Sequence, residues 1–382
     1  MRVRGAQSVN TRREGQYSLH RVFTIVVIVL QFPMTRRDLL KILGGGVGAS
    51  AGLGASWASM ARDWQANTVP PAAEGQIMTV TGPVPPEEFG TALPHEHVLS
   101  RFGRPPARRP DYDLRDVFET VVPILNDVQS AGCDAIMGCT AAYFGRDPLI
   151  MHRLAELTGL HLLTNTGYYG AVDDRYVPDH AYDETAAQLA ERWLAEWTEG
   201  VDGTGVRPGF IKTAVDNGPL SDIDRKLVRA AAKTHKNSGL PIAVHTSDNV
   251  PAAREQLSVL KEEGVDPSAW IWVHAQNVDD LDALAEAAEQ GAWIEFDGLA
   301  PGDEIEHHLA LVQAMQERDL LGQVLLSHDG SSYPPGNAEP RPFDTLFRTF
   351  LPRLRAAGID EETIRRLTVE NPREAFTVRV RT

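Results

Sequence analysis

From Gln76 onward, short apolar runs alternate with longer amphipathic stretches, the pattern of βα units laid around a parallel sheet. Eight runs read as strands: 92–98, 134–140, 161–167, 208–215, 241–246, 270–276, 292–298 and 323–329. The segments between them carry helical spacing. Leu114, Val117, Phe118, Val121, Leu125 and Val128 share a face that ends at Gly132, and Pro123 inside it predicts a kink. Leu189, Trp193 and Trp197 line another helix before Gly200. Ser221 with Asp224 has the form of a capping box opening a helix toward Gly239, and Pro251 suits the first turn of one stopped by Gly264. Leu281, Leu284 and Ala288, then Leu346, Phe350 and Leu354, line two more. Eight such units in about 300 residues is the size of a (β/α)8 TIM-type barrel of the α/β class, a single domain over residues 76–382. An open doubly wound sheet is the alternative, but no G-x-G-x-x-G follows the first strand.

The candidate chemistry strengthens the barrel reading. His95 and His97 sit two apart in Leu93-Pro94-His95-Glu96-His97-Val98. Strand side chains alternate faces, so the two imidazoles share one and Glu96 takes the other. Four later strands each end in another potential ligand: Lys212, His245, His274 and, after Ser327-His328, Asp329. In a closed barrel all eight strand ends meet around one axis, so such distant strands can serve one site. The remaining histidines (His20, His152, His161, His180, His235, His307, His308 and His328) read as structural or solvated, and alternation turns His328 away from Asp329.

Net charge is −15 over 382 residues, which disfavours nucleic acid and anionic membrane surfaces as partners. Residues 1–41 hold eight basic residues against Glu14 and Asp38, so the rest of the chain carries −21. That basic head reads as targeting. Thr35-Arg36-Arg37-Asp38-Leu39-Leu40-Lys41 resembles the twin-arginine export motif, and small residues around Ala58 and Ala61 fit a cleavage site. The expectation is an upstream extension over 1–33, a cleavable signal over 34–61, a linker over 62–75 and an exported mature protein. The two cysteines, Cys133 and Cys139, fall in one strand-like run. Six strand steps separate them by about 20 Å, too far for a disulfide, which needs Cα atoms within about 7 Å.

The motifs Leu93-Pro94-His95-Glu96-His97, Pro208-Gly209-Phe210-Ile211-Lys212, Val244-His245-Thr246, Val273-His274 and Ser327-His328-Asp329 resemble the metal-site motifs of the phosphotriesterase family, including its lactonase branch, within the amidohydrolase superfamily. Thr166-Gly167-Tyr168-Tyr169-Gly170, Gly145-Arg146-Asp147 and Glu370-Asn371-Pro372 resemble further signatures of that family. The resemblance implies that His95, His97 and Asp329 hold one divalent metal, that His245 and His274 hold a second, and that Lys212 bridges them as N6-carboxylysine. Zn, Mn, Fe or Co suit this donor set. A lysine beside two cations is driven to its neutral form, which can take up CO2 and become the two-oxygen anion a bridge requires. Two divalent cations against Asp329, the carbamate and a hydroxide leave the site net positive, suited to an anionic transition state.

Asp329 and Lys212 are the expected catalytic residues. Arg146, Tyr168, Tyr169 and Asp297 are expected substrate contacts, joined by Arg101, Arg104 and Arg341, whose guanidiniums could bind an anionic group remote from the scissile bond. Two positions depart from the family pattern. Asn277 stands where some members carry an acid, and Gly298 where they carry histidine, so the resemblance carries no proton relay through them. The implied activity is metal-dependent hydrolysis of an ester, foremost a lactone, with phosphotriesters as side substrates. The alternatives are an enzyme acting on an amide or another ester, and a non-catalytic exported metal-binding module. The expected partners are the small ester or lactone, the twin-arginine export machinery and a second copy of the chain in a homodimer.

Overall fold

The computed structural model describes residues 73–336, 338–341 and 343–382. The proposed extension, the signal segment and residues 62–72 of the linker lie outside them. Residues 73–75 of that linker already pack on the domain: Ala73 is buried and Gly75 N donates to Val378 O at 2.8 Å. Two compact units are distinguished, and the larger takes in every described residue except Tyr112–Glu119, which run into the start of the helix Leu114–Ser130.

The larger unit carries eight parallel strands: β1 (Ala92–His97), β2 (Ala135–Gly138), β3 (His161–Leu163, continued by Asn165–Thr166), β4 (Phe210–Ala214), β5 (Ile242–His245), β6 (Trp270–Val273), β7 (Trp293–Phe296) and β8 (Val324–Leu326, continued by Gly330–Ser331). Each lies within or directly extends a segment read from the sequence. The two divided strands close the ring. The first half of β3 pairs with β2 and its second half with β4. The first half of β8 pairs with β7 and its second half with β1. The fold is a TIM-type (β/α)8 barrel.

Alternation along these strands separates core from site. Ala92, Ala135, Phe210, Ala243, Ile271, Trp293 and Leu325 form one buried cluster with Phe89 and Phe376. Two residues further along the same face of β4 and β5 stand Lys212 and His245. A short hairpin (Ile77–Thr79 with Gly82–Val84), not anticipated from the sequence, adds Ile77 to the core cluster. Asn371 of the Glu-Asn-Pro motif donates to Leu321 O and Val324 O, both at 2.7 Å, tying the last helix to β8.

The helices begin where their caps predict. Ser221 Oγ accepts from Asp224 N at 3.1 Å, and Gly239 ends that helix in the left-handed conformation. Pro251 falls in the first turn of Val250–Glu262. Cys133 and Cys139 are buried and free.

Candidate metal centre

His95, His97, Lys212, His245, His274 and Asp329 converge on one cavity of about 390 Å3 at the carboxyl ends of the strands. Asp329 Oδ1 lies 3.5 Å from His95 Nε2 and 3.2 Å from His97 Nε2. Tetrahedral ligands about 2.0–2.1 Å from an ion are about 3.3–3.4 Å apart, which both Asp329 contacts approach, and the ligand atoms of the trio all lie within 4.8 Å of one another. His245 packs edge-on against His274, with ring centroids 4.5 Å apart. Burial, then the charges of His274, Lys212 and His95, hold the His245 imidazole well below its usual range. That favours the neutral ring a metal ligand must present.

Hydrogen bonds beneath the site fix the imidazoles. His97 Nδ1 bonds to Thr140 Oγ1 at 2.7 Å. Asp297 reaches His95 Nδ1 at 3.0 Å through Oδ2 and His274 Nδ1 at 2.5 Å through Oδ1. One carboxylate thus occupies the Nδ1 side of two rings and leaves Nε2 of each for the cavity. Burial opposes its ionisation, but the charges of His274 and His95 and their hydrogen bonds hold Asp297 well below the usual carboxylate range. Asp297, read from the sequence as a substrate contact, is fully buried under the rings and does not line the cavity.

Lys212 is 1 % exposed and its Nζ has no hydrogen-bond partner among the described residues. An unpaired buried ammonium is strongly disfavoured. A lysine carrying a carbamate, or one beside cations, resolves that deficit, so the residues present fit a two-metal centre with a carboxylated bridge. The backbone around Lys212 is crowded as well: Gly167 has φ +115°, and a Cβ there would come within 2.2 Å of Lys212 O. The Thr-Gly-Tyr-Tyr-Gly motif therefore serves the close approach of β3 to β4.

His274 and Asp329 both have left-handed backbone, with φ of +63° and +50°. Residues bearing a Cβ rarely adopt that conformation, and it concentrates at functional sites. It re-aims the two side chains at the axis after strand geometry has ended.

The expected substrate contacts divide. Tyr169 lines the cavity with Phe102 and Phe144, and Arg341 lines it from the loop after β8, its Nη2 4.0 Å from Asp329 Oδ2. Tyr168 turns outward to His180 Nε2 at 3.3 Å and packs on Trp193. Arg146 is buried, with both terminal nitrogens 2.8 Å from the Glu196 carboxylate and one 2.7 Å from Asn165 O; this arginine is structural. Arg101 and Arg104 do not line the cavity. Arg101 Nη1 reaches Asp111 O at 3.4 Å.

Sequence reasoning missed Thr140, Gln276 and Glu295. Glu295 Oε2 lies 3.1 Å from His95 Nδ1, and burial raises its pKa. Alternation alone could have found it, two places before Asp297 on an otherwise apolar strand. Gln276 Nε2 donates to Asp297 Oδ1 at 3.0 Å and would lie 2.7 Å from a Cβ at Gly298. Gln276 fills the space where a side chain at position 298 would begin, so the histidine absent there could not enter without displacing it.

Residues 75–376 match the model of the phosphotriesterase family. The phosphotriesterase homology protein of Escherichia coli is 30% identical over 296 residues, covering 75% of this chain and 98% of that one. The aryldialkylphosphatase of Saccharolobus solfataricus is 26% identical over 304 residues, covering 76% and 96%. N-acetyltaurine hydrolase of Xenopus tropicalis is 22% identical over 357 residues, covering 79% and 98%. Among solved structures, a variant of organophosphorus hydrolase from Deinococcus radiodurans superposes with a TM-score of 0.71 at 26% identity, over 81% of this chain and 99% of that one. The Escherichia coli homology protein, complexed with phosphate in its active site, superposes at 0.66 with 27% identity, over 76% and 99%. With the barrel, the ligand ring and these relatives in agreement, the chain belongs to the phosphotriesterase family and is a hydrolase.

Proposed function

We propose that this hydrolase uses two divalent metal ions, zinc foremost, and a carboxylated Lys212 to cleave lactones, with phosphotriesters as side substrates. The observation that carries the metal-centre reading is the buried, unpartnered Nζ of Lys212 inside a ring of three histidines near Asp329 and a fourth, His97. His95, His97 and Asp329 would hold one ion, His245 and His274 the other, with Lys212 between. Bound there, the ions would polarise the substrate oxygen and make hydroxide available near neutral pH.

The chain's own residues do the rest. Phe102, Phe144 and Tyr169 form an aromatic wall that seats the apolar body of a substrate and excludes water from one side. Asp329 turns Oδ1 toward His95 and His97, leaving Oδ2 to take the proton of the attacking water and pass it to the leaving oxygen. A ring-opened lactone keeps its leaving oxygen tethered near Asp329, which suits a site whose relay is confined to this one carboxylate. A solved neighbour at 26% identity is described as a weak promiscuous lactonase template engineered for organophosphate hydrolysis. The relatives named N-acetyltaurine hydrolase favour amide cleavage as the second reading.

Metal-reconstituted protein assayed against lactones, aryl esters, phosphotriesters and N-acyl amino sulfonates tests the assignment. The highest kcat/KM should fall on a lactone; a higher value on the amides would replace the reading with the second. The proposal extends to location. Thr35-Arg36-Arg37-Asp38-Leu39-Leu40-Lys41 supports export of the metal-loaded protein by the twin-arginine route.

A further inference from the structure

Glu96 stands between the two histidines of β1 and turns to the opposite face, fully buried. Its carboxylate collects donors from one short stretch at the end of β8. Oε1 accepts from Ser327 Oγ at 2.8 Å, from His328 N at 3.1 Å and from His328 Nδ1 at 2.7 Å. Oε2 accepts from Gly330 N at 2.7 Å. Asp329 is the residue these bonds bracket, and it holds the left-handed backbone that a Cβ disfavours.

The His328 ring carries the connection onward. Its Nε2 accepts from Leu346 N at 2.9 Å. A backbone N–H can only donate, so the ring proton resides on Nδ1 and is given to Glu96. Leu346 follows the loop whose Pro334, Pro335, Ala338, Glu339 and Arg341 wall the cavity. The same imidazole therefore touches the anchor of Asp329 at one nitrogen and the far end of the cavity loop at the other.

We propose that Glu96 and His328 are a pair of positioning residues with divided duties. Glu96 fixes the backbone that aims Asp329 at a metal ion, and His328 Nε2 holds the C-terminal end of the loop that shapes the substrate cavity. The inference rests on reading the ring of histidines and Asp329 as a metal centre.

Three variants separate the duties. Glu96→Gln keeps the shape but turns an N–H toward converging donors. His328→Gln can still accept from Leu346 N while losing the Glu96 bond. His328→Asn can still donate to Glu96 but cannot reach Leu346 N. Metal affinity is read without turnover, by titrating zinc or cobalt against a chromophoric chelator, and KM on the best ester is read separately. Glu96→Gln and His328→Gln should each lower metal affinity about 10- to 100-fold. His328→Asn should leave metal affinity unchanged and raise KM about tenfold. Parent protein that binds no metal overturns the metal-centre reading itself. Parent protein that binds metal, with both His328 variants equal to it in affinity and KM and lowered only in Tm, overturns the positioning pair. The His328 variants decide this even if Glu96→Gln fails to fold.

Discussion

His97 Nδ1 lies 2.7 Å from Thr140 Oγ1, and that hydroxyl in turn lies 2.5 Å from Leu99 O. Its single proton goes to the carbonyl, so the oxygen must accept from the ring. His97 is thereby protonated on Nδ1, and its Nε2 lone pair is left for an ion that Asp329 would share. Thr140→Val removes the acceptor at nearly constant volume. Metal affinity at the site of His95, His97 and Asp329 should fall about 10- to 100-fold, while Thr140→Ser retains it. Chelator competition followed by metal analysis measures both variants, and equal affinity in Thr140→Val would refute the assignment.

Lys212→Ala should lose metal and activity together, because it removes the anion expected between the ions. Short carboxylic acids added to the variant should restore part of both, since a free carboxylate offers the same two oxygens. Full metal content and full turnover in Lys212→Ala would eliminate the two-metal reading.

Arg341 is the one arginine of the expected anion-binding set that lines the cavity, and its backbone is locked against Ser331 by bonds of 2.8 and 3.1 Å. Its side chain is 61 % exposed, so substitution should not disturb folding. A lactone bearing a carboxylate should be preferred over its neutral counterpart, with the preference weakening as salt rises. Arg341→Gln should raise KM for the anionic substrate and leave the neutral one unchanged. Glu339, also on the cavity wall, limits the effect to about tenfold or less. Equal changes on both substrates would assign Arg341 to Asp329 instead.

Asp224 opens the helix Asp222–Ser238 with Oδ2 accepting from Ser221 Oγ at 2.8 Å and Oδ1 unpartnered. Burial pushes its carboxyl up from 3.8 to about 6. The folded chain then holds this proton more tightly than the unfolded one. The stabilising contribution is full below the unfolded value and disappears as pH rises through about 6. The Tm of Asp224→Asn relative to the parent should therefore climb from the unfolded value of 3.8 up to about 6 and level off above it. A parent–variant difference that does not change over that window contradicts the assignment.

Arg36→Lys combined with Arg37→Lys should trap precursor in the cytoplasm, because the twin-arginine route reads the guanidinium pair rather than charge alone. Cell fractionation and N-terminal sequencing of the mature protein check this. Unchanged export, or a mature N-terminus near Met1, would end the export proposal.

The sequence by itself determined the barrel and the set of side chains that ring its cavity, for a local reason. Period-two alternation in His95–His97 and the placement of Lys212, His245, His274 and Asp329 after apolar runs are properties of short segments, and strand geometry converts them directly into facing and depth. Tertiary structure decided what surrounds that ring. Thr140 and Gln276 carry no local mark of their task, since it depends on which strand end lies beside which, and Glu295 is marked only by its alternation with Asp297. Arg146 and Arg341 look alike in the sequence, yet one is bound by Glu196 and Asn165 while the other reaches the cavity. A guanidinium goes wherever the fold places a carboxylate or a carbonyl within its reach, and only the packed chain fixes those distances.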